Sequence, residues 1–277
     1  MIKHYKGKLG EFDYDDKEFM EDYDYKGDVY LHYIGLGENV KLPKGCINCK
    51  NMFLNYPYAS IDLSEFDTTG VVNMQSMFES ANRLVHIDVS RLNTSSVDNM
   101  SKMFKDCVYL KYVDMSNFNT SKLYRVPEMF RDCCSLQNIV LSDNFFRNIV
   151  SSYAMFRGCR NLTDIDLSSF EENNGVIDLS KMFEYCVKLK TLDMSLINVQ
   201  SLYTSLSVCE KCMNLESISL YGSKIKLRPL WDKSEFRVSD ISRMLGRCDS
   251  LRYIELDRAA VINIDEEANF NELEVLL

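Results

Sequence analysis

A Met-Phe dipeptide that returns at nearly constant spacing is the feature that most constrains how this chain can fold. It occurs six times, at steps of 25 to 27 residues, as Met52-Phe53, Met77-Phe78, Met103-Phe104, Met129-Phe130, Met155-Phe156 and Met182-Phe183. Degenerate copies follow at Val208-Cys209 and Met244-Leu245. A unit of this length cannot bury its own apolar residues, so the copies must pack on one another. We number them the first to the eighth repeat.

Each repeat contains two apolar segments of different periodicity. In the third repeat, residues Leu110–Phe118 alternate around Val113 and Met115, which predicts a short strand. The preceding Met-Phe-x-x-Cys-x-x-Leu segment has helix-like spacing and predicts a short helix or 3₁₀ turn on the opposite side. The pattern therefore predicts an α/β repeat, with the strands of successive repeats paired in parallel on one face.

The cysteine positions follow the same repeat. Six of the ten cysteines share one repeat position: Cys107, Cys133, Cys159, Cys186, Cys212 and Cys248. Ala81 occupies this position in the second repeat, which indicates a small buried apolar site with free thiols. The C-x-x-C pairs at Cys46–Cys49 and Cys209–Cys212 lie at opposite ends of the repeats and cannot share a zinc ion. We therefore expect no metal.

Composition excludes several classes of protein. The formal charge of −9 disfavours a broad nucleic-acid surface, which needs a basic face. No run of eighteen apolar residues exists, so a membrane-spanning helix is excluded. Three scattered histidines, with no glycine-rich phosphate loop or nucleophile elbow, indicate a protein that is not an enzyme and has no cofactor. Because no apolar leader is seen at the N-terminus, we expect a cytoplasmic protein, with an extracellular or cell-surface location as the alternative.

The repeat consensus Met-Phe-x-x-Cys-x-x-Leu-x-x-Ile-Asp-Leu-Ser-x-Phe-x-Thr-Ser resembles the BspA-type leucine-rich repeats. More specifically, it is similar to the DUF285 repeat of bacterial surface proteins, over about Met52–Asp265. The match is poorest at Asn144–Ala154, where the Asn-Thr-Ser turn is missing. The resemblance implies a right-handed leucine-rich-repeat solenoid with a parallel sheet on one face. It also implies a protein-binding role without catalytic residues.

The two ends of the chain do not fit the repeat and are predicted to be caps. The predicted units are an N-terminal cap at 1–51, the repeats at 52–265 and a C-terminal cap at 266–277. In the first cap, Ile2–Tyr5 and Glu11–Tyr14 can pair as a hairpin, and Val29–Ile34 reads as a strand that covers the first repeat. The seventh repeat is longer than the others, which indicates an insertion near residues 223–236 that contains Trp231.

An acidic column on the predicted sheet face is the first candidate binding surface. It consists of Asp62, Asp88, Asp114, Asp166, Asp193 and Glu255, with Val140 in the fourth repeat and Ser219 in the seventh. Asp164, Tyr112, Tyr221 and Tyr253 lie beside it as further candidates. Two interpretations remain open. Either Asp-x-Ser is a structural turn whose carboxylate is satisfied locally, or the column binds lysine and arginine side chains of a protein partner.

Two other regions are candidates for a partner contact. The segment 11–24 is acidic and aromatic, with Asp13, Asp15, Asp16 and Tyr23 as its candidate residues, and the insertion offers Trp231. A solvated linker or short helix is the alternative for this segment. On the opposite side of the repeats, Lys105, Arg131 and Arg157 share one position and could form a basic ridge bounded by Glu79 and Glu184.

These observations predict a non-enzymatic protein-binding module that acts inside the cell on a partner with a basic surface. We expect no direct contact with nucleic acid or membrane. A more specific hypothesis is a phage or mobile-element inhibitor of a basic, nucleic-acid-handling defence protein such as a CRISPR effector. The alternative is a secreted or surface-anchored bacterial adhesin whose leader is absent from this sequence.

Overall fold

Two antiparallel hairpins begin the chain. The computed structural model describes residues 1–23, 26, 29–35, 40–170, 173, 178–197, 207–220 and 244–255, and the backbone of 274–276. Strand β1 (Ile2–Gly7) pairs with β2 (Gly10–Asp15), which is the predicted first hairpin. Strand β3 (Phe19–Tyr23) pairs with β4 (Val29–Tyr33) in a second hairpin that the sequence did not reveal.

Strand β4 joins these hairpins to the first repeat. The backbone N–H of Tyr33 donates to the carbonyl of Met52 at 2.8 Å. The Tyr33 ring meets Phe53 edge to face, with 5.3 Å between the centroids. Since Leu31 on the same strand is fully buried, β4 covers apolar surface at the beginning of the repeats.

The strands within the repeats are only three residues long and belong to two separate parallel sheets. Strand β5 (Tyr112–Asp114) pairs with β6 (Asn138–Val140) in the first. The second contains β7 (Thr191–Asp193), β8 (Ser217–Ser219), β9 (Tyr253–Glu255) and β10 (Glu274–Leu276), in that spatial order. The equivalent residues of the first, second and fifth repeats form no strand.

The Met-Phe segments form tight turns that bond each repeat to the next. In the first repeat, the N–H groups of Asn51, Phe53 and Asn55 donate to carbonyls of the second repeat at 3.0, 2.8 and 2.9 Å. The same set of bonds recurs from the second repeat to the third and onward along the chain. Alternate N–H groups of each turn therefore bond to the next repeat, while the N–H groups between them close turns within the segment, as Lys105 does by donating to the carbonyl of Lys102. Neither set is the pattern of an α-helix, in which each N–H donates to the carbonyl four residues earlier.

The predicted α/β leucine-rich-repeat solenoid is wrong. At the six Met-Phe pairs the backbone forms turns and no α-helix, and the described part of the repeats contains two small parallel sheets where a single continuous sheet was expected. The physical reason is the backbone conformation on either side of each pair. In the third repeat, Lys102 has φ 59° and Asp106 has φ 61°, and the equivalent residues of the other turns are left-handed too. A right-handed helix cannot contain such residues, although the apolar spacing suits one.

A column of stacked phenylalanine rings forms the centre of the core. The rings belong to Phe53, Phe78, Phe104, Phe130, Phe156 and Phe183. Neighbouring centroids are 5.0 to 5.7 Å apart, and the ring planes differ by only 3 to 10°. All six rings are fully buried, so each repeat is stabilised by the rings of its neighbours.

The cysteine column lies beside these rings and is buried with free thiols, as predicted. All ten cysteines are unpaired. The structure adds a role that the sequence did not reveal, because each of the six thiols in the column donates to a carbonyl of the preceding repeat. Cys107 donates to Phe78 O at 3.1 Å and Cys133 donates to Phe104 O at 3.0 Å. Burial raises the pKa of the Cys107 and Cys133 thiols, so they remain protonated donors.

We expect Lys102→Gly to raise the free energy of unfolding by about 0.5–1 kcal/mol. The left-handed conformation costs a non-glycine residue roughly 1–2 kcal/mol, which exceeds the entropic cost of glycine. Lys122→Gly is the matched control, since Lys122 is exposed and its φ is not positive. That variant should lose stability. Urea titrations of both variants test the prediction, and equal losses in the two would contradict it.

Several predicted features lie outside the described residues. These are the insertion near residues 223–236, Trp231, Tyr221 and the side chains of the cap at 266–277. Within the described ranges, no helix has the length and apolar character that crossing a membrane requires.

Candidate partner-binding face

Each aspartate of the acidic column is exposed and caps a tight turn. The Oδ1 atoms of Asp62, Asp88 and Asp114 accept the backbone N–H of the serine two residues later at 2.9 Å. Asp166 and Asp193 make the same bond at 2.8 and 2.9 Å. This is the Asx turn, in which a short acidic side chain closes its own backbone turn. The turn that the structural interpretation of the Asp-x-Ser pattern predicts is therefore present, and the carboxylates that form it remain exposed to a partner.

In the first three repeats, the same serines lower the pKa of the carboxylates. The hydroxyl and N–H of Ser90 lower the pKa of Asp88, and those of Ser116 do the same for Asp114. At Asp62, the N–H and then the hydroxyl of Ser64 lower the pKa. Repulsion from Asp114 opposes the shift at Asp88 but is smaller than the hydrogen-bond contribution. The column therefore presents fixed negative charges to solvent in neighbouring repeats.

Acidification should remove part of the stability that this column provides. Because the folded pKa values are depressed, their contribution is present above the unfolded value of about 3.9 and is lost as the pH falls through the folded values. We expect the wild type to lose more stability between about pH 5 and pH 2 than the triple variant D62N/D88N/D114N. Asparagine keeps the turn but cannot titrate. Urea unfolding across this range tests the prediction, and parallel curves for the two proteins would refute it.

Exposed aromatic and apolar side chains lie next to the aspartates. Tyr112 is 44% exposed and Tyr253 is 43% exposed. The register of β5 and β6 places Asp114 opposite Val140, which is also exposed. The hydroxyl of Tyr112 donates to Asp114 Oδ2 at 3.4 Å, a long hydrogen bond. The sheet face thus combines carboxylates with aromatic anchors.

The remaining members of the predicted column have local partners. Asp164 is exposed, and its Oδ1 accepts the N–H of Ile165 at 2.9 Å. Glu255 accepts the hydroxyl of Ser219 at 2.8 Å. Both side chains are therefore held by neighbouring groups while they face solvent.

The acidic residues of the first hairpin contact polar groups of the same hairpin. Asp13 contacts the His4 Nδ1 atom at 2.7 Å. Asp15 and Asp16 both contact the amino group of Met1. Since these charges have partners within the hairpin, this segment offers a basic protein less uncompensated charge than the aspartate column does.

Tyr23 lies in a different electrostatic setting. Its side chain is 64% exposed and lines an open groove of about 540 Å³. Lys26, Lys50 and Lys102 line the same groove. The structure therefore places Tyr23 among lysines, which does not fit a uniformly acidic-aromatic patch.

The predicted basic ridge is neutralised by carboxylates. The Lys105 ammonium lies 2.8 Å from Glu79, and the Arg157 guanidinium lies 2.6 Å from Glu184. Arg131 contacts Glu128 at 3.1 Å. These cations are bound within the repeats, so this side does not present a line of uncompensated positive charge.

A polar groove of about 470 Å³ lies between the third and fourth repeats, and the sequence interpretation missed it. Its lining includes four hydroxyls and three amides: Ser116, Thr120, Ser121, Ser142, Asn119, Asn144 and Asn148. Two signals in the sequence pointed to this place. Val140 interrupts the aspartate column, and the Asn-Thr-Ser turn is missing from the fourth repeat.

A protein-family model matches much of the chain. Residues 47–170 and 146–221 match a family model described as "Mycoplasma protein of unknown function, DUF285". Together the two overlapping matches span 47–221, which is more than half of the chain. No curated protein matches this chain.

Proposed function

Since the chain belongs to the DUF285 family, for which no function is described, we propose from its own surface that it is a non-enzymatic protein-binding module with a basic partner. Within this family, we propose that its repeats are of the BspA type. The Met-Phe-x-x-Cys-x-x-Leu motif, present in the repeats from Met103 to Leu189, supports that finer assignment.

The aspartate column is the observation on which this proposal rests. Asp62, Asp88 and Asp114 occupy the same position in three consecutive repeats, and all three are exposed. Each carboxylate is fixed by its serine before any partner arrives, so binding would cost little side-chain entropy. A row of preordered negative charges favours lysine and arginine on the partner and speeds the encounter.

The exposed tyrosines support a protein as the partner. Tyrosine is enriched at the energetic centres of protein interfaces, and Tyr112 lies within the column beside Asp114. The adjacent exposed Val140 adds apolar area that a protein surface could cover. The partner would bury Tyr112 and Val140 and pair its basic side chains with Asp88 and Asp114.

We further propose that this partner is a nucleic-acid-handling protein, since such proteins carry basic surfaces, and that the chain inhibits it. A cytoplasmic location is proposed with it, and the ten free thiols support a reducing compartment. An inhibitor encoded by a phage or mobile element would fit both features.

Affinity capture with neutralised variants tests the function. We would immobilise the wild type and D88N/D114N, expose both to bacterial lysate at low and high salt, and identify bound proteins by mass spectrometry. Asparagine preserves the turn, so a lost partner would reflect lost charge. The control E18Q/D249N removes two exposed carboxylates elsewhere.

The expected result is a basic protein that the wild type and the control retain at low salt, and that D88N/D114N loses. High salt should weaken the complex, because exposed charges are screened. Equal retention by all three proteins at both salt concentrations would refute the aspartate column as the binding surface.

A further inference from the structure

The fourth repeat lacks the carboxylate that its neighbours use to hold a serine. In the first three repeats, the aspartate accepts the N–H of the serine two residues later, and the hydroxyl of that serine helps to lower the pKa of the aspartate. In the fourth repeat this aspartate is replaced by Val140, and the serine is Ser142. The Ser142 residue is only 8% exposed, and its Oγ atom has no hydrogen-bond partner in the structure.

An unpartnered buried hydroxyl needs an explanation. Leaving a buried donor unsatisfied is destabilising, and native proteins keep few such groups. Ser142 lines the polar groove between the third and fourth repeats. A ligand in this groove could therefore supply the acceptor that the aspartate provides in the neighbouring repeats.

A second departure of the same repeat lies between two residues of the groove lining, Asn144 and Arg147. Phe146 stands where the third repeat has Thr120, and its ring stacks on Phe170 with 3.8 Å between the centroids. The altered turn is thereby anchored in the core. Asn148 donates to the carbonyl of Ser121 at 3.0 Å, which ties the two repeats together beside the groove. The site is thus held by packing and hydrogen bonds before any ligand binds.

We propose that this groove binds a neutral saccharide and that the Ser142 hydroxyl donates to one of its oxygens. Serine hydroxyls and asparagine amides both donate and accept, which matches the alternating hydroxyls of a sugar. Asp143 and Arg147 are the charged residues at the groove, so its lining carries no net charge and favours a neutral ligand. The volume of about 470 Å³ lies within the range of small-molecule sites.

Titration with defined sugars tests the site. The full chain, labelled with ¹⁵N, would be titrated separately with glucose, galactose, mannose and N-acetylglucosamine. We expect at least one sugar to give saturable shifts at the amides of Ser142, Asn144 and Asn148. Absence of such shifts with all four sugars would overturn the proposal. Inorganic phosphate is the competing probe, and shifts with phosphate alone would overturn the neutral-ligand assignment.

Val140→Asp is the decisive variant, because it installs the carboxylate of the other repeats. Ser142 should then donate within the protein, raising the Tm and weakening sugar binding by about 10-fold or more. Val140→Ala leaves Ser142 unpartnered and should bind within about 2-fold of the wild type. Ser142→Ala removes the donor without opening a large cavity, so it should fold and still lose binding. Wild-type affinity in both V140D and S142A would refute the role of Ser142.

Discussion

Leu110→Asp should lower the free energy of unfolding by more than about 4 kcal/mol and the Tm by about 10 °C or more. Leu110 ends the Cys-x-x-Leu segment of the third repeat and is fully buried. Its N–H donates to the carbonyl of Cys107, so the turn places its side chain in the core. An aspartate there would be a charge without a cationic partner, or would have to take up a proton at neutral pH. Thermal unfolding followed by circular dichroism would measure the loss.

Tyr109→Asp provides the matched control for this variant. Tyr109 is the preceding residue and is 59% exposed, so the same charge is introduced one position along the chain. We expect it to change stability by no more than about 0.5 kcal/mol. Similar melting temperatures for Leu110→Asp and Tyr109→Asp would mean that the turn does not direct Leu110 into the core.

The repeat and its buried positions could be predicted because apolar periodicity depends only on which residues face inward. Met103, Phe104, Cys107 and Leu110 are all buried, as their spacing indicates. The backbone that achieves this burial could not be predicted in the same way. A helical turn and a turn with left-handed residues both bring these four side chains to one side. Lys102 and Asp106, the residues that distinguish the two, have side chains that do not require a left-handed φ.

The sequence pattern also could not predict which repeats form strands. Every repeat contains an inward aliphatic pair, yet Val113 lies in a strand and the equivalent Ile61 does not. Strand formation depends on regular pairing with a neighbouring repeat, as β5 pairs with β6, and one repeat alone cannot encode that property of the packed array. Alternating apolar residues therefore predicted burial better than they predicted strands.

The candidate face could be predicted only in part. The exposure of Asp88 and Asp114 follows from their alternation with buried aliphatic residues. The hydrogen bond from the N–H of the serine two residues later to each carboxylate depends on the geometry of the turn, which the sequence does not give. The groove at Ser142 could not be predicted from the sequence alone. The replacement of aspartate by Val140 becomes informative only once the structure shows that the Ser142 hydroxyl has no hydrogen-bond partner.

Phe130→Ala should lower the free energy of unfolding by about 3–5 kcal/mol, because it removes a large buried side chain from the middle of the phenylalanine column. Its ring stacks on Phe104 at 5.3 Å and on Phe156 at 5.6 Å between centroids. Each stacked pair stabilises the fold by roughly 0.5–1.5 kcal/mol beyond the free energy gained from burying the rings. Losing both pairs therefore destabilises the protein in addition to the cavity that the substitution leaves. Guanidinium titration followed by circular dichroism would measure the change.

Phe130→Leu separates stacking from burial, because leucine fills much of the space but has no ring. We expect the free energy of unfolding of this variant to fall by about half as much as that of Phe130→Ala. Most of this decrease should come from the lost stacking on Phe104 and Phe156. Hydrogen exchange would show where the effect acts. The inter-repeat amides of Phe104 and Phe130, which donate to Met129 and Met155, should lose protection before those of the first repeat. Full stability in Phe130→Leu would show that apolar burial, without ring stacking, holds the column together.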